Sequence, residues 1–335
     1  MVLENIKNAQ KSVFEQLDQN AKIYLFHGPS GVGKLETAKF FSRKILCESS
    51  VSPCENCLSC KKFNSRTHSD FLEISIIDDK KKGRIETIRK EVLPRVYQKA
   101  NEGISKVFLF DGADHMTLAS FNSLLKVIEE PPPNTFFIFL TSNLYSIPIT
   151  VLSRCRKIRF RPLKRDVIKK ILSENYGGGE EDLEKLVSLN LYDEESISAD
   201  RIEIAERFRK QSLLFLNEIL KSSQEVDPIK LMSLTVVKFD STKTQRDNAI
   251  SFLISIRSLL RDVLVLHISS EELLLWNIDI ETDLREILFD WDEPFLIKTF
   301  LVLEKAIKDL HDLNTNSTLT LESFVHSIRS FLVGR

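Results

Sequence analysis

The stretch "KIYLFHGPSGVGKLETAKFF", Lys22 to Phe41, decides the fold. An apolar run reads as a strand, a glycine-rich turn follows, and the residues from Lys34 onward take helical spacing. Strand, GxxxxGK and helix in that order make a phosphate-binding loop. Its glycines turn backbone amides inward, the helix start adds its dipole, and the lysine reaches the outer phosphates. Gly28, Gly31, Gly33 and Lys34 are the candidate nucleotide-binding residues. The pattern asks next for Ser or Thr, whose hydroxyl holds Mg²⁺, and the chain has Leu35, which offers the ion nothing.

Working outward, short apolar runs recur at "FLEISII", "VFLF" and "FFIFL", separated by longer segments of helical period. Alternation of this kind implies a parallel sheet wrapped by helices, with ligands at the carboxyl ends of its strands. Two such ends carry Asp111 and the "TSN" that contains Ser142, which join the candidate nucleotide residues. Asp111 reads equally as a metal-holding acid or as a strand-end turn residue. Gly112 follows it where a hydrolysing site needs a Glu to polarise water. Thr37 lies on a different helical face from position 35 and is a poor substitute for the lost hydroxyl. The segment "TLASFNSLLKVIEE" is an amphipathic helix stopped by "PPP" at 131–133.

Beyond Pro162 the pattern turns helical, with "GGG" at 177–179 and "SSQEVD" at 222–227 as punctuation. The apolar "NAISFLISIRSLLRDVLVLHI" requires a helical bundle or a partner chain to cover it. The chain has 335 residues, enough for about two or three cores. Its hydrophobic and charged fractions of 42% and 28% are those of a soluble protein. No apolar run approaches the roughly 18 residues of a membrane span, and the first residues do not read as a signal peptide. A cytoplasmic location without membrane contact is the expectation. The net charge of -1 leaves any grip on nucleic acid to a local patch, and Arg154 to Arg165 is one, open also to reading as a solvated basic face.

Cys47, Cys54, Cys57 and Cys60 follow Cx6CxxCxxC, four soft ligands spaced to converge on one structural Zn²⁺. An iron-sulfur run would continue with a further Cys before Pro, whereas "KKFNS" follows here. His68 stands near as a substitute ligand or a structural residue.

The blocks "YLFHGPSGVGK", the four cysteines, "THSDFLEI", "DGADHMTLASFNSLLKVIEEPPPNTFFIFLTSN" and "LSRCRKIRF" occur in this order between residues 23 and 161. Together they resemble the clamp-loader AAA+ family of bacterial DNA polymerase III. The resemblance implies an α/β RecA-like AAA+ domain with a parallel sheet and P-loop over 1–162, with a zinc module inserted at about 47–60. An all-α lid over 163–212 and an all-α collar over 213–335 that joins subunits into a ring would follow. It implies that Arg154, in the Ser153-Arg154-Cys155 motif, is an arginine finger supplied in trans to a neighbour's ATP. Partners would be the gamma/tau and delta subunits, and through that hetero-oligomer the sliding clamp and primed DNA.

A motor subunit of this family would carry Thr or Ser at 35, Glu at 112 and a lid arginine near "ESISAD" at 195–200, and this chain has none of the three. Its own ATP binding is therefore expected to be weak or absent, Mg²⁺ doubtful and hydrolysis slight. An ATP-hydrolysing motor is the alternative, and a stand-alone P-loop protein acting on small molecules a weaker third.

Overall fold

The computed structural model describes residues 2–76, 85–176, 179–189, 199–221, 233, 235, 244–268, 275–312 and 315–333. The chain packs as two compact units, Met1–Asn175 and Tyr176–Arg335.

The first unit is built on five parallel strands in the order β2-β3-β4-β1-β5, the order of a RecA-like AAA+ sheet. They are β1 (Ile23–His27), β2 (Phe71–Ser75), β3 (Lys106–Asp111), β4 (Thr135–Thr141) and β5 (Arg156–Arg159). All seven residues of central β4 are buried, as a parallel strand covered on both faces must be. Its alternate residues supply two cores. On one face Phe136, Ile138 and Leu140 meet Tyr24, Phe26 and Phe41, the last from helix α3 (Lys34–Leu46). On the other, Phe137 and Phe139 stack on Phe108 and Phe110 at 5.2 and 4.8 Å between ring centroids, beneath Phe121 and Leu124.

Four of the strands are the apolar runs read from sequence, and β5 is not. "RKIR" carries one inward residue, Ile158, and its charged neighbours hide the strand inside what reads as a basic tract. Pairing with β1 supplies what local pattern does not.

Around the sheet lie α1 (Val2–Ala9), α2 (Lys11–Glu15), α4 (Leu58–Asn64) and two short pieces, α5 (Ile85–Thr87) and α6 (Leu93–Val96), joined by a π-helical turn. Helix α7 (Leu118–Glu129) starts at Thr117, whose hydroxyl accepts the Ser120 amide at 3.2 Å, and ends ahead of the prolines. Phe121, Leu124 and Ile128 are buried as the spacing predicts, but Leu118, in the first turn, is exposed. Then come α8 (Ile149–Leu152) and α9 (Arg165–Tyr176).

The second unit is helical: α10 (Glu180–Ser188), α11 (Ala199–Lys221), α12 (Gln245–Ile268), α13 (Glu281–Asp290), α14 (Glu293–Asp312) and α15 (Ser317–Val333). Position 212 lies within α11, and "SSQEVD" and the first two glycines of "GGG" lie outside the described residues. The apolar α12 buries Phe252, Leu253, Ile256, Leu259, Leu260 and Val263 among α11, α13, α14 and α15. No described helix is long and apolar enough to cross a membrane.

Helix α12 also buries Asp262 completely, and its carboxylate is fully used. It accepts the backbone amides of Trp276 and Asn277, the Asn277 side-chain amide at 2.9 Å and an Arg261 guanidinium N–H at 2.6 Å. Removing the acid leaves those donors unpaired in the interior. Asp262→Ala is expected to destabilise this unit by about 3 kcal/mol. Both tryptophans, Trp276 and Trp291, sit in this unit, so urea unfolding followed by tryptophan fluorescence reads it directly. An unchanged midpoint would show that the network holds nothing.

Candidate functional site

The loop between β1 and α3 forms a tight turn closed by its own lysine. The Lys34 ammonium donates to the Gly28 carbonyl at 2.8 Å, the Pro29 carbonyl at 2.6 Å and Ser142 Oγ at 3.3 Å. Ser30 Oγ lies 3.2 Å from Ser142 Oγ, so the end of β4 is drawn onto the loop. Burial pushes the Lys34 ammonium down to about 8, against the pull of Asp114 and Asp111. Its positive charge therefore thins as the pH rises through about 8. Gly33, at φ +85°, begins α3, and a Cβ there would meet the Ile6 side chain of α1 at 2.7 Å. Gly31 also has positive φ. The candidates Gly28, Gly31, Gly33, Lys34 and Ser142 thus share one locality, with Asp111 close enough to act on Lys34 electrostatically.

Leu35 packs against the core face that holds Phe26, Phe41 and Ile158, so the isobutyl group has become part of the packing. Thr37 is wholly buried and its hydroxyl has no hydrogen-bond partner among the described residues. Gly112 stands at φ +78°, ψ +43°, a left-handed conformation that L side chains rarely adopt. The segment of "ESISAD" from 195 to 198 lies outside the described residues.

Arg154 follows α8 and is next in sequence to a buried anchor. Cys155 is buried in the sheet core, and that burial pushes its thiol up to about 12. The Arg154 side chain is 37% exposed, with Nη2 on Glu129 Oε1 at 2.8 Å and Nη1 on the Thr150 carbonyl at 2.7 Å. Glu129 closes α7, so the blocks "NSLLKVIEE" and "SRC", distant in sequence, meet at this guanidinium. Arg156 is likewise engaged, with Asp18.

The four cysteines converge as their spacing predicts. Their sulfurs all lie within 4.8 Å of one another, and none is in a disulfide. Backbone amides of Cys54, Cys57 and Cys60 each point at a preceding cysteine sulfur at 3.4 Å. The amides of Cys57 and Asn56 pull the Cys54 thiol down to about 6, while burial pushes Cys60 up to about 12. Four soft, clustered sulfurs with amide donors suit one tetrahedral ion such as Zn²⁺. His68 is no fifth candidate. Its ring nitrogens contact Ser59 and the Asp70 amide.

A five-stranded parallel sheet in this order, a P-loop, a four-cysteine insertion before β2 and an arginine after α8 define the class: a clamp-loader-type AAA+ domain followed by helices. Residues 4–164 match the family model described as "DNA polymerase III, delta subunit". The chain is thus similar to proteins of the DNA polymerase III clamp-loader family. It is 26% identical to subunit delta′ of Bacillus subtilis over 92% of this chain and 91% of that protein, and it resembles delta′ along nearly its whole length. To subunit tau of the same organism it is 32% identical over 48% of this chain, and to the protein STICHEL of Arabidopsis thaliana 33% over 52%. The chain spans only 28% and 14% of the length of those two relatives.

The backbone at Gly112 gives a direct test. A Cβ in the left-handed region costs about 1–2 kcal/mol. Gly112→Ala is therefore expected to lower the stability of the sheet unit by that amount in urea unfolding followed by circular dichroism. A stability equal to wild type would mean that the turn relaxes freely.

Proposed function

We propose that this chain is a delta′-type clamp-loader subunit, a largely non-hydrolysing scaffold that donates Arg154 to the ATP site of a neighbouring motor subunit. The observation that carries the reading is Leu35: the position that should hold Mg²⁺ is filled by an isobutyl group packed into the core. Gly112, without a carboxylate, and Lys34, turned onto its own loop, agree with it. Arg154, half-exposed and held by one surface carboxylate, is available to a phosphate from another chain. An exposed ion pair of this kind is worth at most about 1 kcal/mol, little against the charge of a nucleotide. On this reading residues 163–212 form the lid, residues 213–335 form the collar that contacts gamma/tau and delta subunits, and the assembled ring loads the sliding clamp on primed DNA. The four cysteines hold one structural zinc.

The alternative, a hydrolysing motor, is favoured by the 32% identity to tau across the first half of the chain and by the unpartnered Thr37 hydroxyl. ATPase assays separate the two. The isolated chain is expected to turn over ATP no faster than its Lys34→Ala variant, and Mg²⁺-dependent turnover well above that control would establish the motor.

In a complex reconstituted with motor subunits, Arg154→Ala is expected to leave assembly intact and to slow the adjacent site by about 10³-fold or more. Single-turnover ATP hydrolysis measures this, and a wild-type rate would remove the finger.

A further inference from the structure

His68 is 6% exposed, and both sides of its hydrogen bonding are defined by fixed partners. The Asp70 backbone N–H donates to Nδ1 at 3.2 Å, so Nδ1 is an acceptor and the ring proton sits on Nε2. Ser59 Oγ donates its single hydrogen to the Leu46 carbonyl at 2.7 Å. It must then accept from His68 Nε2 at 2.9 Å. Leu46 and Ser59 are the immediate neighbours of Cys47 and Cys60, the first and last of the four sulfur ligands. At its other end the chain of bonds continues into the sheet. Asp70 takes the backbone amides of Asn101, Glu102 and Gly103 at 2.7, 2.8 and 3.2 Å, and its own carbonyl accepts Val107 N–H of β3 at 2.9 Å.

We infer that His68 is a positioning residue for the four-cysteine centre: through Ser59 and Leu46 it fixes the separation of the two outer ligands and locks the module to the sheet. The inference rests on the reading of the cysteines as a metal site. It assigns a task to the "THSDF" block, whose histidine orients ligands from behind rather than touching the ion. Outer partners of this kind typically change metal affinity by 10–100-fold when removed. A buried histidine that merely filled space would affect the stability of the fold and leave the affinity of the folded module unchanged.

The test is competition for zinc between the full-length chain and a chromogenic chelator, under conditions where circular dichroism shows every variant folded. Ser59→Ala breaks the relay while leaving the imidazole in place, and is expected to weaken zinc binding about 10–100-fold. His68→Asn keeps an acceptor for the Asp70 amide but is too short for Ser59, and is expected to lose as much. His68→Gln places an amide N–H where Nε2 stands, and is expected to retain more affinity than His68→Asn. Zinc held as tightly by Ser59→Ala and His68→Asn as by wild type overturns the role of His68 alone. A wild-type chain that binds no zinc removes the metal reading and this inference with it.

Discussion

A parallel strand covered on both faces has no place for a polar side chain except at its ends. Strand β4 obeys this along all seven residues, and its neighbours β1 and β3 nearly so. The polar chemistry of the sheet is therefore driven to the strand ends, and at the carboxyl ends Gly28 follows β1, Asp111 closes β3 and Ser142 follows β4. Because the strands are parallel and adjacent, those ends lie side by side, and the hydrogen bonds from Lys34 to Gly28 and Ser142 follow from the register. Arg154 lies at the other end of the sheet, since it leads into the amino end of β5, which runs parallel to β1 with Arg156 beside Tyr24.

The two residues that depart from the P-loop ATPase pattern, Leu35 and Gly112, are built into the fold. Leu35 adds to the apolar cluster under α3, which an oxygen at that position would not. Gly112 allows a left-handed turn into the 3₁₀ segment Ala113–His115, a conformation in which a side chain would be strained. Two local packing solutions thus depend on Leu35 and Gly112. A substitution that placed a carboxylate at Gly112 would therefore meet resistance from the backbone, and one that placed a hydroxyl at Leu35 would remove apolar contact.

What the sequence makes legible follows from the range of the interactions involved. The four apolar runs, the P-loop, the cysteine cluster and α7 are each specified within a short window, and each forms where its pattern predicts. The rest depends on distant partners. Strand β5 is polar on its own and exists through its ladder to β1. Leu118 shares the apolar stripe of α7 yet is exposed, because periodicity does not say how far the core extends along a helix. Glu129 shows no sequence sign of its contact with Arg154, and Asp262 reads as an ordinary surface acid within an apolar helix although it is wholly buried. His68 is ambiguous in sequence, and only the positions of Ser59 and Asp70 decide its part.

The four-cysteine module shows how a short insertion without its own core is made rigid. Between Cys47 and Cys60 only Ser59 and Cys60 are buried, so apolar packing cannot hold the loop by itself. A metal held by the four sulfurs would fix it internally, and three further ties fix it to the body. Phe63 of α4 packs on Phe71 of β2 at 4.6 Å between centroids, Lys62 pairs with Glu102 at 3.0 Å, and Arg43 of α3 pairs with Glu55 at 2.8 Å. The two ion pairs are solvent-exposed to differing degrees and individually weak, the ring contact is partly buried, and the His68 relay is shielded from water. Since β2 is the terminal strand on that side, the module reinforces the part of the sheet with the fewest partners. The cysteine cluster and the sheet are thereby mechanically connected, although nothing in the nucleotide loop touches the cysteines among the bonds described.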